Sequence, residues 1–255
     1  MFSYIKQHTV YGKDPKLVAV VDGAQSLSFA ELEARTEAFA SGLYHNAGFR
    51  RGDILAIALP NTSLYQVVSL GTQMVGGIVT TANPAYTPRE LAHQLKATRA
   101  KVIVTLLSSV PAIKEALQIA QLDIPDSCIL TIDGQINTVD NISSQQPFPR
   151  VQLTTESEVK NTPSFIVFSS GTSGAPKGVV LSHRNMVANA LQFLDVSQRD
   201  LGLMRATQTK FQRRWLQVLP MFHIYGLLIN NISILSGGVV VIMEKFDFSR
   251  FCALI

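Results

Sequence analysis

The chain has 255 residues, of which 47% are apolar and only 16% charged, with a formal net charge of +4. That length supports a substantial core, and the low charge implies much buried surface or an apolar face left open for association. The basic excess is mild and spread out except in Arg199–Arg214, which lacks the aromatic platform of a nucleic-acid-binding surface.

In chain order, the N-terminus (MFSYIKQHTVYGKD) has no apolar stretch of the kind a secretory signal needs. Ser28-Phe29-Ala30-Glu31 fits a capping box, and Leu32, Phe39 and Leu43 follow at helical spacing. Asp53–Leu59 is a short apolar run of strand type, Leu64–Val75 a buried helix and Ile78–Thr81 a brief strand. Thr87-Pro88-Arg89-Glu90 is a second capping box with proline at the first helical position. Lys101–Leu106 and Cys128–Ile132 read as strands, and the polar stretch Asp133–Ser164 as a long coil-like connection. Beyond it, Val179–Leu181 reads as the return arm of a hairpin and Asn185–Phe193 as a helix. Ile224–Met243 has no charged residue and is about long enough to span a bilayer. Asn230 and Asn231 in its middle and Gly237-Gly238 near its end argue instead for a buried helix, a turn and the strand Val239–Met243. The chain then reads as a strand end entering a helix, and no internal repeat is evident. Alternating helices and strands predict an α/β layered fold.

The chemistry concentrates in Phe165–Asn185, FIVFSSGTSGAPKGVVLSHRN. An apolar β-branched segment opens into hydroxyls and glycines, gains one lysine and becomes apolar again. Gly171, Gly174 and Gly178 permit close backbone approach. Ser169, Ser170, Thr172 and Ser173 add hydroxyl donors beside backbone N–H groups that can form an anion-binding concavity. Lys177 adds a compact positive charge. A polar surface turn has the same composition and is the competing reading. The Walker A loop does not fit, because Lys177 stands between Pro176 and Gly178 rather than after glycine and before Ser or Thr. Elsewhere, His223 and Tyr225 lie in the apolar stretch PMFHIYG and Lys245 follows the last strand; as isolated residues they read as a hydrogen-bonded core histidine, a buried tyrosine and a surface lysine. Cys128 and Cys252 form no disulfide or metal pattern and read as small buried hydrophobes in a reducing compartment.

The order of residues in SSGTSGAPKGVVLSHRN closely resembles the signature loop of adenylate-forming enzymes, which include acyl- and aryl-CoA synthetases. LPMFHIYG at Leu219–Gly226 is similar to the second core motif of 4-coumarate–CoA ligase-like members. GDILAIALP (Gly52–Pro60), GGIVTTANPAYTP (Gly76–Pro88) and Glu90–Leu95 are similar to the family's N-terminal region. The resemblance implies layered, mixed and largely parallel sheets with flanking helices, forming the N-terminal part of an adenylate-forming domain over residues 1–255. It implies ATP-dependent activation of a small carboxylic acid through an acyl-adenylate to a CoA thioester, with ATP, Mg²⁺ and coenzyme A as the required small molecules.

By the same resemblance, Ser169, Ser170, Gly171, Thr172, Ser173, Gly174 and Lys177 hold ATP phosphates. His223 is the catalytic candidate beside the reacting carboxylate and α-phosphate. Tyr225 lines the acyl pocket and Lys245 serves coenzyme A. No metal ligand is assigned to this stretch. His183 and Arg184, which follow the loop, read as supports of its geometry rather than as participants in the chemistry, and carry no assigned role. The later family segments, including a small C-terminal domain with its catalytic lysine, do not occur here, so the expectation is a partial domain, inactive alone. A non-catalytic nucleotide-binding remnant or interaction module is the alternative. The implied location is intracellular, cytoplasmic or peroxisomal, with no nucleic-acid partner and no membrane span.

Overall fold

A computed structural model describes residues 14–169, 175–200 and 212–254, the side chains of 196–200 excepted. The chain divides into two compact units: one holds its N-terminal residues to Glu33, Asn61–Ser63 and Arg184 onward, the other Ala34–Pro60 and Leu64–His183.

The second unit is built on a six-stranded sheet in the order β6-β5-β3-β4-β7-β8. Its strands are β3 (Ile54–Ala58), β4 (Ile78–Thr81), β5 (Val102–Thr105), β6 (Ile129–Thr131), β7 (Pro163–Ser169) and β8 (Lys177–Ser182). All neighbouring pairs are parallel except β7 with β8, an antiparallel hairpin. The strands β3 to β5 are short and nearly continuous in apolar and threonine residues, as expected where both faces of a parallel sheet are covered. Helices α2 (Leu64–Met74), α3 (Pro88–Thr98) and α4 (Val110–Ala120) supply cover, and α1 (Phe29–His45) packs on α2 where Gly71 meets the Phe39 ring. Leu91, Leu95, Ile113 and Leu117 from α3 and α4 join Ala56, Ala58 and Ile103 of the sheet in one buried cluster.

Both predicted capping boxes form. Ser28 Oγ accepts from the Glu31 backbone N–H at 3.2 Å, while Glu31 accepts from the Ser28 backbone N–H at 2.8 Å. Thr87 and Glu90 repeat the arrangement, with Pro88 opening α3. At Gly77 a Cβ would stand 2.3 Å from the Phe49 ring, so only glycine lets α2 turn into β4 there.

The polar stretch read as coil is not all coil. It contains the short helices α5 (Val139–Ile142) and α6 (Glu156–Asn161), and β7 begins at Pro163. Thr155 and Glu158 form a third capping box that holds α6. The stretch looked irregular because α6 buries no residue, which removes the apolar period.

The first unit carries a four-stranded sheet, β2-β1-β10-β9. β1 (Val18–Asp22) and β2 (Gln25–Ser28) form a hairpin whose turn holds Gly23 at φ 62°, a conformation glycine adopts without strain. β9 (Arg214–Gln217) and β10 (Val239–Ile242) pair in parallel, and β10 pairs in parallel with β1. Helix α7 runs His183–Asp200, α8 runs Ile224–Leu235 and α9 runs Phe248–Leu254. Ala190 and Leu194 of α7 pack with Ile232 and Leu235 of α8 in a small core beside Trp215.

The uncharged stretch before β10 resolves as expected into a helix, a glycine turn with Gly237 at φ 68°, and a strand. No helix among the described residues is long and apolar enough to cross a membrane. Cys128 is buried as expected, but Cys252 is exposed, because α9 buries none of its residues. Phe246 and Phe248 are also exposed, as are Val179 and Val180 on β8. Of the basic cluster, Arg213 and Arg214 are described, while residues 201–211 and the Arg199 side chain lie outside the description.

The capping boxes give a direct test of this local reading. Thr87→Ala removes the hydroxyl that accepts from Glu90 N–H and donates to the Glu90 carboxylate, while the carboxylate keeps its bond from the Thr87 backbone N–H. The expected loss is about 0.5–2 kcal/mol, read as a lower urea midpoint at unchanged slope.

Candidate functional site

The signature segment is a hairpin. β7 is held on one side by β4, with Val79 opposite Phe165 and Thr81 opposite Val167. On its other side it pairs with β8 from Phe165–Leu181 to Ser169–Lys177. Ser169 and Lys177 are therefore cross-strand partners at the mouth of the connecting loop, and both are exposed. Ser170, Gly171, Thr172, Ser173 and Gly174 lie outside the described residues. Gly178 has a packing reason: a Cβ there would come within 3.1 Å of Phe168 and 3.2 Å of Ile166.

The described arm is also held from α3. The Pro176 carbonyl accepts from His93 Nε2 at 2.9 Å, and the His93 ring meets Phe168 edge-on at 6.4 Å between centroids. His93 looked uninformative in the sequence because its partner is 83 residues away.

The second group belongs to the other unit. β9 ends at Gln217, and the chain turns through Leu219–Phe222 into α8. His223 is the N-cap of that helix, extended at φ −89° and ψ 145°, and its Nδ1 accepts from the Tyr225 backbone N–H at 3.4 Å. A neutral ring in this arrangement carries its proton on Nε2 and can present it as a donor. The core-histidine reading therefore does not hold, since His223 is exposed and caps a helix. Tyr225 is not buried either, being 50% exposed. Gly226 fits tightly under the turn, because a Cβ would lie 2.1 Å from the Pro220 carbonyl oxygen.

Lys245 follows β10, the strand paired in parallel with β9. It is exposed and leaves from the same sheet edge as the turn to His223. The structure thus brings His223, Tyr225 and Lys245 to one edge of the four-stranded sheet, and Ser169 and Lys177 to one end of the hairpin in the six-stranded sheet.

These residues suit a polyanion better than a resident metal. Lys177 is exposed beside a hydroxyl, an arrangement in which an ammonium and O–H donors can converge on phosphate oxygens. Among the described residues, no three His, Cys, Asp or Glu side chains group closely enough to hold a metal ion.

His183 opens α7 directly after the hairpin, with its backbone N–H bonded to the Thr162 carbonyl at 3.1 Å. Burial pushes its imidazole down to about 4 from an ordinary 6.5. The folded state therefore holds His183 neutral where the unfolded chain already binds a proton, so stability falls as pH drops from 6.5 towards about 4. His183→Gln should remove roughly 1–3 kcal/mol of that fall. The check is the difference between the two proteins' urea stabilities across that window.

Three comparisons bear on the family and fold of the chain. 4-Coumarate–CoA ligase 3 of Arabidopsis thaliana is 34% identical over 250 residues, covering 95% of this chain but 41% of the relative. The chain therefore spans less than half the length of that relative. ATP-bound MatB from Rhodopseudomonas palustris superposes with TM-score 0.78 at 25% identity, covering 94% of this chain and 45% of that one. The long-chain-fatty-acid–CoA ligase FadD1 from Archaeoglobus fulgidus shares the fold, with TM-score 0.82 at 24% identity over 99% of this chain and 48% of that one. The family model for AMP-binding enzymes matches residues 7–255, and the chain belongs to that family of adenylate-forming enzymes.

Proposed function

We propose that this chain provides the ATP-binding hairpin and part of the acyl-adenylate site of an acid–CoA ligase. In that reaction a carboxylate oxygen bonds to the α-phosphorus of ATP and pyrophosphate leaves. The thiol of coenzyme A then bonds to the acyl carbon and AMP leaves. Charge builds on the departing pyrophosphate and on the crowded α-phosphate, and fixed donors aimed at both lower the barrier.

The observation that carries this reading is the pairing of Ser169 with Lys177 across the hairpin mouth. Two paired strands hold Ser169 opposite Lys177, so a hydroxyl and an ammonium can reach the β- and γ-phosphates together. Mg²⁺ enters with ATP, since it keeps phosphate and water oxygens as most of its ligands. In the other unit, His223 Nε2–H is the donor for the reacting carboxylate and α-phosphate oxygens. The exposed Tyr225 ring lines the acid and Lys245 meets the phosphates of coenzyme A. The small carboxylic acid is activated as its CoA thioester, as the name of the Arabidopsis relative states for that protein.

The test is calorimetric titration with Mg²⁺-ATP and with pyrophosphate. Lys177→Ala should weaken binding by about tenfold to a hundredfold, the value of one charge-assisted contact of roughly 1.5–3 kcal/mol. Its thermal stability should stay close to wild type, because an exposed lysine at a strand end supports no core. Lys177→Arg should rescue in part, since a planar fork replaces a compact ammonium poorly in a tight loop. Lys114→Ala, which removes an exposed partner of Asp126 on α4, is the control and should leave affinity unchanged. Equal affinity in wild type and Lys177→Ala would make the segment a surface turn.

A further inference from the structure

Asn61 is 6% exposed and follows β3 in the chain, yet it belongs to the unit that contains His223. Its amide has two donor protons and two acceptor lone pairs. Oδ1 accepts from the Met221 backbone N–H at 2.7 Å. Nδ2 faces the Leu219 carbonyl at 3.2 Å, the Met243 carbonyl at 3.1 Å and the Gln217 carbonyl at 3.4 Å. One side chain therefore ties the exit of β9, the exit of β10 and the turn that leads to His223.

From our reading of His223 as the donor for the reacting oxygens, we infer that Asn61 is a positioning residue for it. The connection is short. Met221 is fully buried and takes its backbone partner from Asn61, one residue from the Pro220 carbonyl that accepts from His223 N–H at 3.1 Å. Gln217 Nε2 donates to the Leu219 carbonyl at 2.6 Å and holds the turn from the strand side. Gly226 lets the Pro220 carbonyl pack directly onto the first turn of α8. The turn is thus fixed from three sides, and of those only Asn61 contributes both a donor and an acceptor. Without it the Met221 N–H and the Met243 carbonyl lose a buried partner, and the turn can relax only by moving His223 and the N-terminus of α8.

The experiment is a long-range proton–nitrogen spectrum of the histidine-labelled chain at pH 8, with His223 assigned through His223→Gln. Wild type should show a single His223 tautomer, acceptor at Nδ1 and protonated at Nε2. In Asn61→Ala and the milder Asn61→Ser, the two ring nitrogen signals should converge as the tautomers mix. The His223 amide should exchange with solvent at least about tenfold faster, as expected for a lost buried hydrogen bond. A purely structural Asn61 would lower the melting temperature and leave the His223 tautomer untouched in the folded fraction, and that result overturns the inference.

If neither variant folds, hydrogen exchange on wild type decides. Met221 and His223 amides should open in one step with one free energy, and independent opening overturns the inference. Adding Mg²⁺-ATP to wild type separates the two readings: unmoved His223 ring signals would sink the functional assignment, while the tautomer comparison still decides the role of Asn61.

Discussion

The candidate site depends first on parallel pairing. Strands that run the same way deliver their C-terminal ends to one edge, and side chains following those ends gather there. In the four-stranded sheet the register lines up Asp22, Ile242 and Gln217 across three parallel strands. The segments after them therefore leave together, and two of these carry Lys245 and His223. An antiparallel β9 would have sent the His223 turn to the far edge, away from Lys245. In the six-stranded sheet the same rule carries Ser169 out beside the end of β4.

Such an edge has a cost, because chain leaving a parallel strand has backbone groups with no ladder partner. Burying them unpaired costs about 1–3 kcal/mol each. The first unit meets this with side-chain amides. Asn61 serves Leu219, Met221 and Met243. At the opposite end of the same strands Gln212 faces Gly237 O at 3.0 Å and also donates to Val18 O. Asp22 accepts from the Ser63 backbone N–H at 2.9 Å, placing another polar side chain beside Asn61 at the edge from which His223 departs. An amide is suited to this work because it donates and accepts at once without bringing a charge into the interior.

What was legible in the sequence was what is local. The capping boxes at Ser28 and Thr87 each span four residues, and both formed. The hairpin was legible because its loop chemistry and both apolar arms fall within one short window. The glycine turn before β10 interrupted an apolar run and was read correctly. The third capping box, at Thr155, carried the same local signal, but the polarity around it outweighed it. Asn61 and His93 were missed for a different reason. Their partners stand 156 to 182 and 83 residues away, and no pattern in one sequence marks such a pairing. The contrast between Cys128 and Cys252 also follows packing alone: both are cysteines in short elements, and only the first faces a core.

The edge position of β8 has a consequence for how this signature tolerates change. β8 lies at the end of the six-stranded order, paired only with β7 among the described strands, and Lys177 is its first residue. The connecting loop can change length while Ser169 and Lys177 stay opposite each other, because the ladder behind them sets their positions. An added residue inside either arm is a different matter. Side chains alternate faces along a strand, so a slip of one place would turn Lys177 towards the opposite side of the sheet. The lysine would survive in the sequence while its charge left the face it shares with Ser169, and a motif match alone would not register the loss.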